Sequence, residues 1–114
     1  MTKTHSFASP ATARASPALK GVVAAPGDKS VSHRALILAG LAAGKSRIAG
    51  LLEAEDVLRT AAALRSLGVD VEREGGDAGP IWRVRGGTWD RPDRPLYFGN
   101  SGTGCRLALG AVAG

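Results

Sequence analysis

The sequence predicts an α/β (α+β) chain, on three observations. Two stretches, "VSHRALILAGLAAG" and "VLRTAAALRSLG", carry apolar residues at helical spacing and close on glycine. Two short runs, "VDVERE" and "IWRVRG", alternate apolar and charged residues across the turn-rich "GGDAGP". A last segment, "LYFGNSGTGCRLALGAVAG", reads as strand, glycine-rich turn and helix. The resulting order, β-α-β-α-β-β followed by β-α, describes one sheet covered by helices and the start of a second such unit.

Residues 1–18 are basic and rich in Ser, Thr and Ala, and they are broken by Pro10 and Pro17. They predict a flexible leader, because the prolines oppose the sustained amphipathic helix of a targeting peptide. The ordered part, residues 19–114, is expected to open with a short strand, "LKGVVAAP", ended by the Pro26-Gly27 turn. Asp28 or Ser30 then caps the first helix by accepting a hydrogen bond from an orphan amide. Its expected buried stripe is Val31, Ala35, Leu38 and Ala42, widened by Leu36 and Leu41, with Gly44 as the stop. A second strand is expected from Ser46 to Leu52. Glu53, Glu55 and Asp56 crowd the start of the second helix, where they read as favourable charge at a positive helix end rather than as acid–base groups. That helix buries Val57, Ala61, Leu64 and Leu67, and Gly68 ends it. In the hairpin that follows, Trp82 is expected to fill the cover between sheet and helices, while Trp89 has no predicted place. Helical character persists to Gly114 without a stop signal, the pattern of a truncated end.

The formal charge is +5, from 15 basic and 10 acidic residues, which suits an anionic partner. The arginines are scattered and only 4% of residues are aromatic, so no stacking platform for bases is present and a nucleic-acid interface is disfavoured. No run approaches the roughly 18 apolar residues that mark a membrane span. A single cysteine, Cys105, cannot form an internal disulfide, as expected of a reducing, cytoplasmic setting.

The pair Lys-Ser occurs twice. The second copy, in "GLAAGKS", falls one residue short of a nucleotide-binding P-loop and closes a helix instead of opening one. Carbonyl oxygens at a helix C-terminus repel phosphate, so Lys45 reads as a cation complementing that dipole. The first copy, Lys29-Ser30, stands at a helix opening, where free amides and the positive dipole end favour an anion. Arg34 follows Ser30 by four residues and returns to nearly the same face. Ammonium, hydroxyl and guanidinium could therefore meet one carboxylate or phosphate; equally, they could be a capped helix with two solvated cations. His33 is alone on that turn, without a partner at metal spacing, and is expected at the surface.

The turn "GNSGTGCR" decides between those readings. It follows an expected strand and opens a helix. Gly99, Gly102 and Gly104 let backbone approach a ligand, and Asn100, Ser101 and Thr103 offer hydrogen-bond donors. Two amide-rich helix openings with basic residues and no metal motif describe a site for small multi-anionic metabolites that needs no metal.

The stretch "PGDKSVSHRALILAGLAAGKSRIAGLLEAEDV", with "LGVDVE" and "FGNSGTGCR", closely resembles the beginning of the 5-enolpyruvylshikimate-3-phosphate synthase family. The resemblance covers residues 19–114 and rests on two motifs, Pro-Gly-x-Lys-Ser-x-Ser-x-Arg and Gly-Asn-x-Gly-Thr-x-x-Arg. The related UDP-N-acetylglucosamine enolpyruvyl transferases usually carry Lys-Asn at the first motif, so Lys29-Ser30 favours the shikimate branch. The resemblance implies a longer, monomeric, two-domain enzyme built from βαβαββ units, of which this chain is an incomplete first part. It implies transfer of the enolpyruvyl group of phosphoenolpyruvate to the 5-hydroxyl of shikimate 3-phosphate, without a cofactor. Lys29 would then touch both substrates, Ser30 and Arg34 would hold shikimate 3-phosphate, and the Gly102 amide would meet phosphoenolpyruvate in a pocket shaped by Asn100 and Thr103. Ser101 stands where alanine is common in the family, and Leu107 where proline is. The acid–base groups are expected beyond Gly114, which leaves no certain catalytic residue in the chain and makes it inactive alone. The competing expectation is a non-catalytic module that binds anions with the same two loops.

Overall fold

A computed structural model describes residues 8–114. Residues 1–7 of the expected leader, including His5, lie outside the described residues. Regular structure begins at Lys29 and follows the order α1 (Lys29–Leu41), β1 (Gly44–Ala49), α2 (Glu55–Ser66), β2 (Asp70–Glu74), β3 (Ile81–Gly86) and α3 (Gly102–Ala113).

The three strands form one antiparallel sheet in the order β1-β3-β2. Both outer strands oppose β3 and therefore run parallel to each other, with α2 as the crossover between them. Alternation divides the sheet into two faces. Ser46 and Ile48 lie in register with Val84 and Trp82, and Val71 with Val84, on the face turned to the helices. Lys45, Arg47, Arg83, Arg85, Asp70 and Glu72 occupy the outer face. The core lies between sheet and helices and contains Leu36, Val57, Ala61, Leu64, Val71, Trp82 and Val84. Trp82 is buried there as expected, and its indole N–H donates to Glu53 at 3.0 Å. The Glu53 carboxylate also accepts two bonds from Arg73, which hold its carboxyl below the usual range. The turn before α2 is thereby fastened to β2 and β3.

α2 and the hairpin match the sequence reading. Val57, Ala61, Leu64 and Leu67 are buried, and Glu55 and Asp56 stand in the first turn of α2. The expected strand at residues 19–26 does not form: Leu19, Val22 and Val23 are at least 91% exposed. A strand needs a neighbour to accept its backbone bonds, and this segment has none among the described residues. The strand expected around "LYF" is also absent. That stretch crosses the helix layer away from either sheet edge, with the Arg59 guanidinium 4.9 Å from the Tyr97 ring.

α1 buries Leu36 as expected but otherwise a different face from the one predicted. Val31, Leu38 and Leu41 are 54%, 63% and 44% exposed, whereas Ser32, His33, Leu36, Ile37, Ala39 and Gly40 are buried. The cause is packing on two sides, against the sheet with α2 and against α3, so small residues mark the tightest contacts. A Cβ on Gly40 would lie 3.1 Å from the Leu64 side chain. Gly44 is not the helix stop: the C-cap is Ala42, and Gly44, at φ +104°, begins β1. Lys45 accordingly does not complement the α1 dipole but lies on the outer sheet face, opposite Arg85. Trp89 donates its indole N–H to the Gly40 carbonyl at 2.8 Å, clamping the loop after β3 onto the end of α1.

Candidate functional site

The three helices begin at one end of the molecule. α1 and α2 advance in step, through Lys29 with Asp56, His33 with Thr60, and Gly40 with Leu64. α3 joins in the same direction: Ser101 meets His33, and Leu107 and Ala111 lie beside Ile37, Leu38 and Leu41. Three positive dipole ends therefore collect at one face. The opening of α2 is neutralised by its own Glu55 and Asp56. The α1 and α3 openings carry no acid in their first turns.

Each of these two openings is capped so that two amides remain unused. Asp28 is the N-cap of α1, its carboxylate accepting from Val31 N–H at 2.8 Å. The first ladder bond runs from Ser32 N–H to the Asp28 carbonyl, so the Lys29 and Ser30 amides have no acceptor within the helix. Ser32 Oγ donates to the Asp28 carbonyl at 2.6 Å and accepts from Leu52 N–H at 3.0 Å, binding this opening to the loop after β1. Gly27 is needed for that approach, since a Cβ would stand 2.7 Å from the Leu52 nitrogen and collide with the Gly50 carbonyl. At α3, Ser101 is the N-cap, its Oγ accepting from Gly104 N–H at 3.0 Å. Cys105 N–H bonds to the Ser101 carbonyl, which leaves the Gly102 and Thr103 amides without an acceptor in the helix.

Cations stand beside both openings. Lys29 donates to Asp56 at 2.9 Å, with the lysine side chain half exposed. This pair lies one turn of α2 from Thr60, at the same end as the glycine turn. An ammonium has three donors, and an exposed ion pair contributes about 0–1 kcal/mol, so Lys29 can engage an incoming anion beside or instead of Asp56. An Asp56→Asn variant is therefore expected to bind inorganic phosphate about two- to fivefold more tightly by calorimetric titration, the loss of one weak competitor. Unchanged or weaker binding would contradict a ligand role for Lys29. Ser30 is partly buried and Arg34 is exposed beside α3, near Leu107 and Ala111. Asn100 is exposed on the turn that precedes Ser101. A further cation was not assigned from sequence: Arg106 folds back over its own helix opening, with Nη1 2.7 Å from where a Cβ on Gly102 would stand. Its i,i+4 relation to Gly102 was the available signal.

His33 is not at the surface. It is fully buried, with Nδ1 2.8 Å from Thr60 Oγ1 and Nε2 3.3 Å from Ser101 Oγ. Burial holds its pKa below the ordinary 6.5; Asp56 opposes that shift and Lys29 adds to it. The unfolded chain thus binds the proton more readily, and protonation favours unfolding. Stability is expected to be full above about pH 6.5 and to fall as pH drops from there through the lowered folded pKa. Urea midpoints at pH 5 and 7.5 should differ in the wild type and converge in a His33→Gln variant. Equal pH slopes in both proteins would contradict this assignment.

Among the described residues no group of His, Cys, Asp or Glu is arranged to hold a metal, and no helix is long and apolar enough to cross a membrane.

Comparison with known proteins matches residues 13–114 to the family described as EPSP synthase (3-phosphoshikimate 1-carboxyvinyltransferase). A 3-phosphoshikimate 1-carboxyvinyltransferase of Rhodopseudomonas palustris (strain BisA53) is 59% identical over 115 aligned residues, covering 97% of this chain and 25% of the relative. The Afipia carboxidovorans protein of the same name is 61% identical over 108 residues, covering 92% of this chain and 24% of its own length. An EPSP synthase structure from Acinetobacter baumannii superposes with a TM-score of 0.66 at 43% identity, over 75% of this chain and 19% of that one. The chain spans about a quarter of the length of the curated relatives it matches.

Proposed function

The chain belongs to the EPSP synthase (3-phosphoshikimate 1-carboxyvinyltransferase) family, and from that premise we propose that it contributes the α1 and α3 openings to an enolpyruvyl transferase site. The reaction moves the enolpyruvyl group of phosphoenolpyruvate onto the 5-hydroxyl of shikimate 3-phosphate and releases inorganic phosphate. Addition of the hydroxyl oxygen to the phosphate-bearing carbon of the enol phosphate, with a proton added to its methylene carbon, forms a tetrahedral intermediate; loss of phosphate together with a methyl proton regenerates the double bond, and no cofactor takes part. Ser30 and Arg34 hold shikimate 3-phosphate, one by hydroxyl and amide, the other by its fork. Lys29 spans both substrates, and the Gly102 amide, with Asn100 and Thr103 beside it, receives phosphoenolpyruvate. The reading extends to a cytoplasmic setting, which the unpaired Cys105 favours, and to a monomeric complete enzyme.

The observation that carries this reading is the convergence of two helix openings, each with two unused amides, on the face where Lys29 stands. The test is a composite enzyme in which this chain replaces the matching quarter of the Rhodopseudomonas palustris relative. Release of phosphate that depends on both substrates supports the proposal. A folded composite without that activity, or one that prefers a UDP-sugar acceptor, overturns it. The 114-residue chain alone is expected to bind anions without turnover.

A further inference from the structure

Three helices meet in a polar contact where their packing would otherwise be apolar. His33 is 0% exposed, Thr60 1% and Ser101 3%, and each comes from a different helix or its cap. Buried polar groups cost stability unless they bond one another, and a satisfied buried network fixes one arrangement of the elements it joins. The three groups stand around Gly104, whose missing side chain makes room for them. A Cβ there would lie 2.6 Å from Thr60 Oγ1, 2.7 Å from Ser101 Oγ and 3.2 Å from the His33 ring.

The placement of this contact is informative. His33 is one turn beyond Lys29 on α1, and Ser101 lies between Asn100 and Gly102. Thr60 is one turn beyond Asp56, the partner of Lys29. The imidazole thus joins the two openings directly, while Thr60 braces it from α2 and touches neither ligand region. We propose that His33, held between Thr60 and Ser101, is a positioning residue that sets the α1 opening against the α3 opening for a ligand bridging both. A ligand with one anionic group can settle on either opening, whatever their separation. A ligand with a phosphate at one end and a carboxylate at the other needs both openings at a fixed spacing, so only that ligand senses the contact.

The inference deepens the proposed function and rests on it for the bridging ligand. The experiment uses the full 114-residue chain and two probes, inorganic phosphate and phosphoenolpyruvate, each titrated calorimetrically. Thr60→Val nearly preserves shape while removing the brace, and His33→Phe keeps a ring in place while removing both bonds of the imidazole, leaving the Ser101 cap of α3 intact. Each variant should bind phosphate within about twofold of wild type and phosphoenolpyruvate about tenfold more weakly, within the usual range for coupled neighbours. The double variant should be no weaker than either single one, because the three groups act as a unit. Equal weakening of both probes, or additive losses in the double variant, would reduce the contact to a structural role and overturn the inference alone. A wild-type chain that binds phosphate but does not prefer phosphoenolpyruvate would overturn both the inference and the ligand assignment beneath it.

Discussion

A Lys29→Ala substitution in the composite enzyme is expected to lower kcat/KM by about 100- to 1000-fold, the range seen when one preorganised donor to developing charge is removed. Lys29 is the cation that reaches from α1 toward the other openings, and its ion pair with Asp56 shows that the side chain leans to that side. The fold should survive, because the lysine is half exposed and the pair contributes little to stability. Lys29→Arg should restore only part of the loss, since a planar fork does not reproduce a compact charge shared between two ligands. Steady-state kinetics with each substrate varied in turn, alongside circular dichroism, would check this. A loss below about threefold in a folded variant would remove Lys29 from the site, that being far less than one charged contact contributes.

A large loss of stability is expected on substituting Gly104. Alanine there would press against Thr60, Ser101 and His33, all buried and bonded, so the neighbours cannot swing aside. Overpacking of this kind costs about 1–3 kcal/mol, and a chain of this size should lose roughly 5–20 °C in melting temperature. Gly110 is the internal control, because it lies in the same helix with nothing within 4 Å of an added Cβ. Gly110→Ala should stabilise by about 0.5–1 kcal/mol, the difference in helix propensity. Thermal melts of the two variants moving in the same direction would contradict the close packing assigned to the α3 opening.

What was legible in the sequence follows from how each element is surrounded. α2 and the β2–β3 hairpin have one apolar face and one wet face, so Val57, Ala61, Leu64, Trp82 and Val84 could be read from periodicity alone. α1 is enclosed on two sides, and its stripe misplaced Val31 and Leu38 while passing over Ala39 and Gly40, whose smallness permits close contact. Residues 19–26 have the composition of a strand, but pairing is a property of the neighbour as much as of the segment. The two anion-ready openings were legible because capping and dipole are local. Asp28, Lys29 and Ser30 in one, and Ser101 to Gly104 in the other, lie within a turn of each other. His33 was misjudged because its partners, Thr60 and Ser101, are 27 and 68 residues away. The Lys29–Asp56 pair was hidden for the same reason.

On the proposed reading, the α1 and α3 openings face one ligand space. The most direct measurement is an amide-resolved NMR titration of the chain with phosphoenolpyruvate. The Lys29, Gly102 and Thr103 amides are expected to shift together along one saturation curve. Shifts confined to one opening, or to Lys45, Arg47, Arg83 and Arg85 on the outer sheet face, would contradict it.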